Sequence, residues 1–196
     1  MNDLFPPWQR FEQLLRSGHT ARTLGFTGSD GDVSRFLARH RLASSFRGAT
    51  FDEYSERTSA AYSALLKLFL TWGAFESFCR ITGRTKSGGG LDHTKLRVLL
   101  TGRDRPELEL GDRRMVQLRR VLGEYTTHQK LRDRLESDTC SPYDIAQALR
   151  HTFAHGPLTA HGSKSPAAVR DGANRLADWL LEVMAEEFAM LLNSNT

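Results

Sequence analysis

Cysteine is nearly missing: Cys79 and Cys140 are the two such residues in a chain of 196. Two thiols make no disulfide framework, and neither sits in a C-x-x-C or other metal-ligand spacing. Cys79 lies in an apolar run and is expected to be a buried thiol. No apolar stretch is long enough to cross a bilayer. The opening Met1-Asn2-Asp3-Leu4-Phe5-Pro6-Pro7 lacks the basic region and long apolar run of a secretory signal. A reducing, cytoplasmic setting away from membrane is therefore the expectation. Strand-type alternation is also missing, and no internal repeat is visible. Histidines and carboxylates show no recognised zinc spacing. Lys86-Ser87-Gly88-Gly89-Gly90 lacks the strand-to-helix setting of a phosphate-binding loop and reads as a flexible connector. No metal and no cofactor is expected.

What remains is helical periodicity. Pro7 suits the first turn of a short helix from Trp8 to Arg16. Asp32 reads as the N-cap of a second helix whose inner face carries Val33, Phe36 and Leu37. A long helix is expected from Phe51 or Asp52 to Ile81, stopped by Gly83. Tyr62, Leu65, Leu66, Phe69, Trp72, Phe75, Phe78 and Cys79 recur there at three and four residues. Leu68 and Leu70 fill further faces, so its second half should be central or lie at a subunit contact. Asp92 to Leu100 reads as a short helix. A charged helix follows from Asp112 to Leu135, with a break expected at Gly123. Ser141-Pro142 pairs an N-cap with proline at the first helical position. That helix should end at Gly156-Pro157, and a last helix should cover Pro166 to Leu192. The expected architecture is an all-α antiparallel bundle.

Lys and Arg number 27 against 23 Asp and Glu, giving a formal net charge of +4 and a pI near 9.3. This is a mild bias toward polyanions, equally met by an Arg-rich solvated surface. The sharper signal is Arg150-His151-Thr152-Phe153-Ala154-His155-Gly156. A permanent cation that can hold a phosphate precedes an imidazole that exchanges protons near neutral pH. Five positions on an ideal helix separate Arg150 and His155 by about 140° around the axis. They share a face only if the helix ends between them, which Gly156 favours. His151 and His155 are four apart and do share one.

That segment resembles the R-x4-6-H motif of the HEPN superfamily, in which a polar residue such as His151 often follows the arginine. Phe69-Leu70-Thr71-Trp72-Gly73-Ala74-Phe75-Glu76-Ser77-Phe78 resembles the aromatic helix of many HEPN domains, which often carries an acidic residue. The resemblance covers residues 50–192. It implies a HEPN-like bundle over 51–196, with residues 1–50 as extra N-terminal helices packed on it. It further implies a metal-independent endoribonuclease, a homodimer with two motifs in one cleft, and a toxin or antiviral defence role. The partners implied are RNA and an antitoxin or another defence-system protein. Some HEPN lineages are non-catalytic, and an interaction or nucleic-acid-binding module is the alternative.

The chemistry is coherent in its own right. RNA carries its nucleophile, the 2′-hydroxyl, so a histidine can move the proton and an arginine can stabilise the phosphorane-like transition state. Arg150 is assigned to phosphate, His155 to proton transfer and His151 to orienting or assisting. Glu76 reads either as a supporting partner of Arg150 or as a structural salt bridge or partly exposed helix face. Arg113, Arg114, Arg119 and Arg120 read as RNA-backbone contacts or, with their interleaved acids, as a solvated face. His161 reads as a solvated loop residue. His19, His40, His93 and His128 read as superficial.

Overall fold

The computed structural model describes residues 6–103, 108–109, 111–156, 158–160 and 165–194. Among the described residues there are eight α-helices: α1 (Pro6–Arg16), α2 (Asp30–Ser45), α3 (Glu56–Ile81), α4 (His93–Leu100), α5 (Arg113–Tyr125), α6 (Gln129–Glu136), α7 (Pro142–Ala154) and α8 (Pro166–Ser194). Among the described residues the sole β-type pairing is an isolated bridge between Thr85 and Leu91. It closes a turn in which Lys86 N donates to Gly90 O at 2.7 Å. The protein is all-α, and no described helix is long and apolar enough to cross a membrane.

The chain groups into two compact units, and α3 and α8 each contribute residues to both. The first comprises residues 1–45, 73–101 and 180–196. Residues 1–45 group in it with two later segments of the chain. The core of this unit is a cluster of phenylalanine rings. Phe188 lies 6.0 Å from Phe11, 5.0 Å from Phe26 and 5.6 Å from Phe36, and Phe36 lies 5.4 Å from Phe78. In the second half of α3 Phe75, Phe78 and Cys79 are fully buried, whereas Phe69 is 43 % exposed. Burial, the first cause, pushes the Cys79 thiol up to about 12.

Two helix ends in this unit show how local sequence sets the chain path. Gly83, at φ +68°, turns the chain into the left-handed region after α3. Arg84 N then donates to Cys79 O at 2.7 Å and Gly83 N to Arg80 O at 3.4 Å, a Schellman ending. Thr27 adds a tie from the preceding loop, its N donating to Ile81 O at 2.8 Å. At the start of α2, Ser29 rather than Asp32 is the cap. Asp32 N donates to Ser29 Oγ at 3.2 Å, while Ser29 N donates to Asp32 Oδ2 at 3.0 Å. Asp32 is the reciprocal acidic member of a capping box, one turn inside the helix. The Ser29 hydroxyl and backbone bonds hold its carboxyl well below the usual carboxylate range.

His40 is also not superficial: it is 5 % exposed, and its Nε2 lies 3.1 Å from Leu181 O. A carbonyl can only accept, so Nε2 carries the proton in this bond. Burial lowers its pKa below the ordinary 6.5, the bond to Leu181 acting weakly in the other direction. The unfolded chain therefore takes up this proton first as pH falls. His40's contribution is whole above pH 6.5 and is lost as pH drops from there toward the depressed value. Melting temperatures of wild type and His40→Gln across that interval should show the wild type losing ground as acid is added. A constant difference between the two would count against this linkage.

The second unit comprises residues 46–72 and 102–179. Within it α5, α6 and α7 pack against one another. The single charged helix expected over 112–135 is two helices, and the interruption falls at Thr126 to His128 rather than at Gly123. Asp112 caps α5 by accepting from Arg114 N at 2.9 Å and Met115 N at 3.2 Å. Its carboxylate also accepts from Arg175 of α8 at 3.0 Å. Trp72 stacks on Tyr143, ring centres 5.8 Å apart. Gly172 lets α8 come close to α5: a Cβ there would lie 2.3 Å from Leu118 Cδ2.

Candidate active site

α7 carries the motif, and its two ends are fixed by its own sequence. At the start, Ser141 Oγ accepts from Asp144 N at 3.3 Å and Asp144 Oδ2 accepts from Ser141 N at 3.1 Å, with Pro142 in the first turn. Ile145, Ala148, Leu149 and Thr152 face inward and are fully buried. The helix ends at Ala154, His155 is the C-cap at φ −97° and ψ 5°, and Gly156 takes φ +85°. Leu158 N donates to Thr152 O at 3.2 Å, turning the chain back over the helix end. The stop expected at Gly156 is where the helix does stop; Pro157 lies outside the described residues.

Three imidazoles collect at this terminus. The His151 and His155 ring centres are 4.5 Å apart. His128 lies 6.0 Å from His151, edge to face at 76°. His128 and His155 are exposed, whereas His151 and Arg150 are half-buried. His128 is the N-cap of α6, yet its side chain makes no capping bond. It was expected to be superficial and scattered; it is exposed, but it belongs to this cluster. No local pattern could reveal that, because its neighbour is 23 positions away in α7.

The cluster has an electrostatic centre. Burial, then the like charges of His155, His128 and Arg150 in that order, lower the pKa of His151 below 6.5. The arrangement offers a neutral imidazole beside an exposed one and a permanent cation.

The arginines of α5 have different surroundings. Arg119 is half-buried; its Nη2 donates to Ser137 O at 2.9 Å and its Nε to Leu135 O, so its guanidinium secures the end of α6. Arg114 lies 3.6 Å from Asp171. Arg120 is 83 % exposed and 3.8 Å from Glu124. Arg113 is exposed. Glu76 is half-buried on the part of α3 in the first unit, where its carboxylate helps raise the Cys79 pKa. His161 lies outside the described residues. Among the described residues no group of three or more His, Cys, Asp or Glu side chains is arranged to hold a metal ion.

Compared with known proteins, the chain matches no family model, no curated protein and no solved structure. The functional reading therefore rests on the residues and their geometry.

Proposed function

We propose that the end of α7 is the active site of a metal-independent endoribonuclease, built on a HEPN-like bundle that works as a homodimer. The observation that carries this reading is the gathering of the His128, His151 and His155 rings at the end of α7, with half-buried Arg150 next to His151 in the same helix. Arg150 holds the scissile phosphate and offsets charge on its equatorial oxygens. His151, kept neutral, accepts the proton of the 2′-hydroxyl as its oxygen bonds to phosphorus. His155 gives a proton to the departing 5′-oxygen as the P–O5′ bond breaks. The products are a 2′,3′-cyclic phosphate and a free 5′-hydroxyl. Arg113, Arg114 and Arg120 on α5 contact the RNA backbone. A toxin or antiviral role, with an antitoxin or other defence protein as partner, fits such an activity.

The test is incubation of purified protein with end-labelled single-stranded RNA in EDTA. Cleavage leaving a cyclic phosphate supports the proposal. Intact RNA across about pH 5.5 to 8, with the protein folded, rejects it and favours a non-catalytic interaction module. The pH profile gives a second reading. A depressed His151 pKa means the neutral base survives to lower pH, so the acid limb should lie below pH 6.5. His128→Ala removes one of the charges that depress it and should move that limb upward. An acid limb that stays put in His128→Ala would remove His128 from the cluster's chemistry.

A further inference from the structure

A concavity of about 810 Å³ opens in the second unit among the coil at residues 46–51, the first half of α3 and the N-terminal part of α8. Its size falls within the range of about 300–1,000 Å³ that takes small organic ligands. It shares no residue with the α7 cluster. The coil is fastened to α3, since Ala49 N donates to Ser63 Oγ at 2.9 Å and Ser63 Oγ donates to Ala49 O at 3.0 Å. One wall is aromatic: the Phe51 and Tyr54 rings lie 6.2 Å apart and are backed by Tyr62 at 5.6 and 5.4 Å. Tyr54 is 43 % exposed, a large aromatic surface turned to solvent.

Among small lining residues such as Ser59, Ala60 and Ala64 stand the cations Arg47, Lys67 and Arg170 and the acid Glu56. Lys67 is held by Asp178 at 2.6 Å, and Arg170 by Asp171 at 2.8 Å. Each carboxylate orients its cation without using all its protons, because an ammonium has three N–H donors and a guanidinium five. Asn174 adds an amide to the lining. Two aromatic rings set at 76° to each other and two carboxylate-oriented cations in one concavity suit a ligand with a planar ring at one end and a phosphate at the other.

We propose that this concavity binds a nucleoside mono- or diphosphate, its base against Phe51 and Tyr54 and its phosphate on Lys67 and Arg170. Equilibrium dialysis of the full chain against labelled ADP should show saturable binding. Lys67→Met with Arg170→Met should weaken it at least about tenfold, as should Tyr54→Ala. Tyr54→Phe, which keeps the ring face, should restore it. Inorganic pyrophosphate should compete, with an affinity that falls in the cation variants and not in Tyr54→Ala. If the double variant does not fold, Arg170→Met alone applies the same criterion at a side chain 42 % exposed. His155→Ala should leave binding unchanged, which separates this site from the nuclease reading. No saturable binding, or binding insensitive to the pocket variants, overturns the proposal. So does ADP binding that His155→Ala abolishes, since the ligand would then occupy the end of α7.

Discussion

Replacing His155 with alanine is expected to lower RNA cleavage by ~10²–10⁴-fold while leaving the fold intact, the usual worth of a positioned proton donor. The two halves of that expectation have separate grounds. His155 is exposed, and the bond it makes at the helix end runs from its backbone N to His151 O at 3.1 Å, which alanine keeps. Gly156, which turns the chain, is untouched. The stability change should therefore stay within about 0.5 kcal/mol, as for surface substitutions away from special features. His151→Ala should lose activity on a similar scale and also abolish the acid limb. Arg150→Lys keeps the charge but not the planar fork, so it should recover little of what Arg150→Ala loses. Single-turnover cleavage rates of these variants, beside their melting curves, decide the matter. A His155→Ala protein that cleaves at the wild-type rate sinks the assignment.

Much of α7 was legible before any coordinates, because both of its ends are written in local chemistry. Ser141-Pro142 opens it, Asp144 completes the capping box, and Gly156 closes it. The end of α3 at Gly83 is legible for the same reason. The start of α2 lies one turn before the expected Asp32 cap because serine and aspartate both cap helices, and which of them stands outside depends on their reciprocal bonds. The break falls after α5 and not at Gly123, because one interior glycine does not end a well-packed helix. Gly123 costs about 1 kcal/mol in a helix interior, and the buried Val121 and Leu122 beside it hold the turn. His40 carries a signal of burial in the sequence, since it follows Val33 by seven and Phe36 by four on the buried face of α2. His128 and the concavity carried none. Both depend on residues far apart in sequence, and amphipathic periodicity reports which face is buried, not which polar groups meet.

Phe188→Ala should produce the largest loss of stability of any substitution considered, about 3–5 kcal/mol. The residue is fully buried on α8, and its ring touches three others from separate parts of the chain: Phe11 on α1, Phe26 in the following loop and Phe36 on α2. Each aromatic contact adds about 0.5–1.5 kcal/mol beyond the area it buries. Collapse cannot readily fill the gap, because its walls belong to different segments and Phe36 is also held by Phe78 at 5.4 Å. In a chain of this size each kcal/mol moves the melting point by roughly 2–4 °C, so a fall of about 6–20 °C is expected. Met190, two positions on and 49 % exposed, is the internal control; Met190→Ala should change stability by less than about 0.5 kcal/mol. Phe188→Leu should fall between them, since it keeps most of the apolar volume but loses the ring edges. Urea unfolding of the three variants measures the order directly. A Phe188→Ala loss no larger than that of Met190→Ala would mean that the ring cluster is not what joins α1, α2 and the end of α8 into one core.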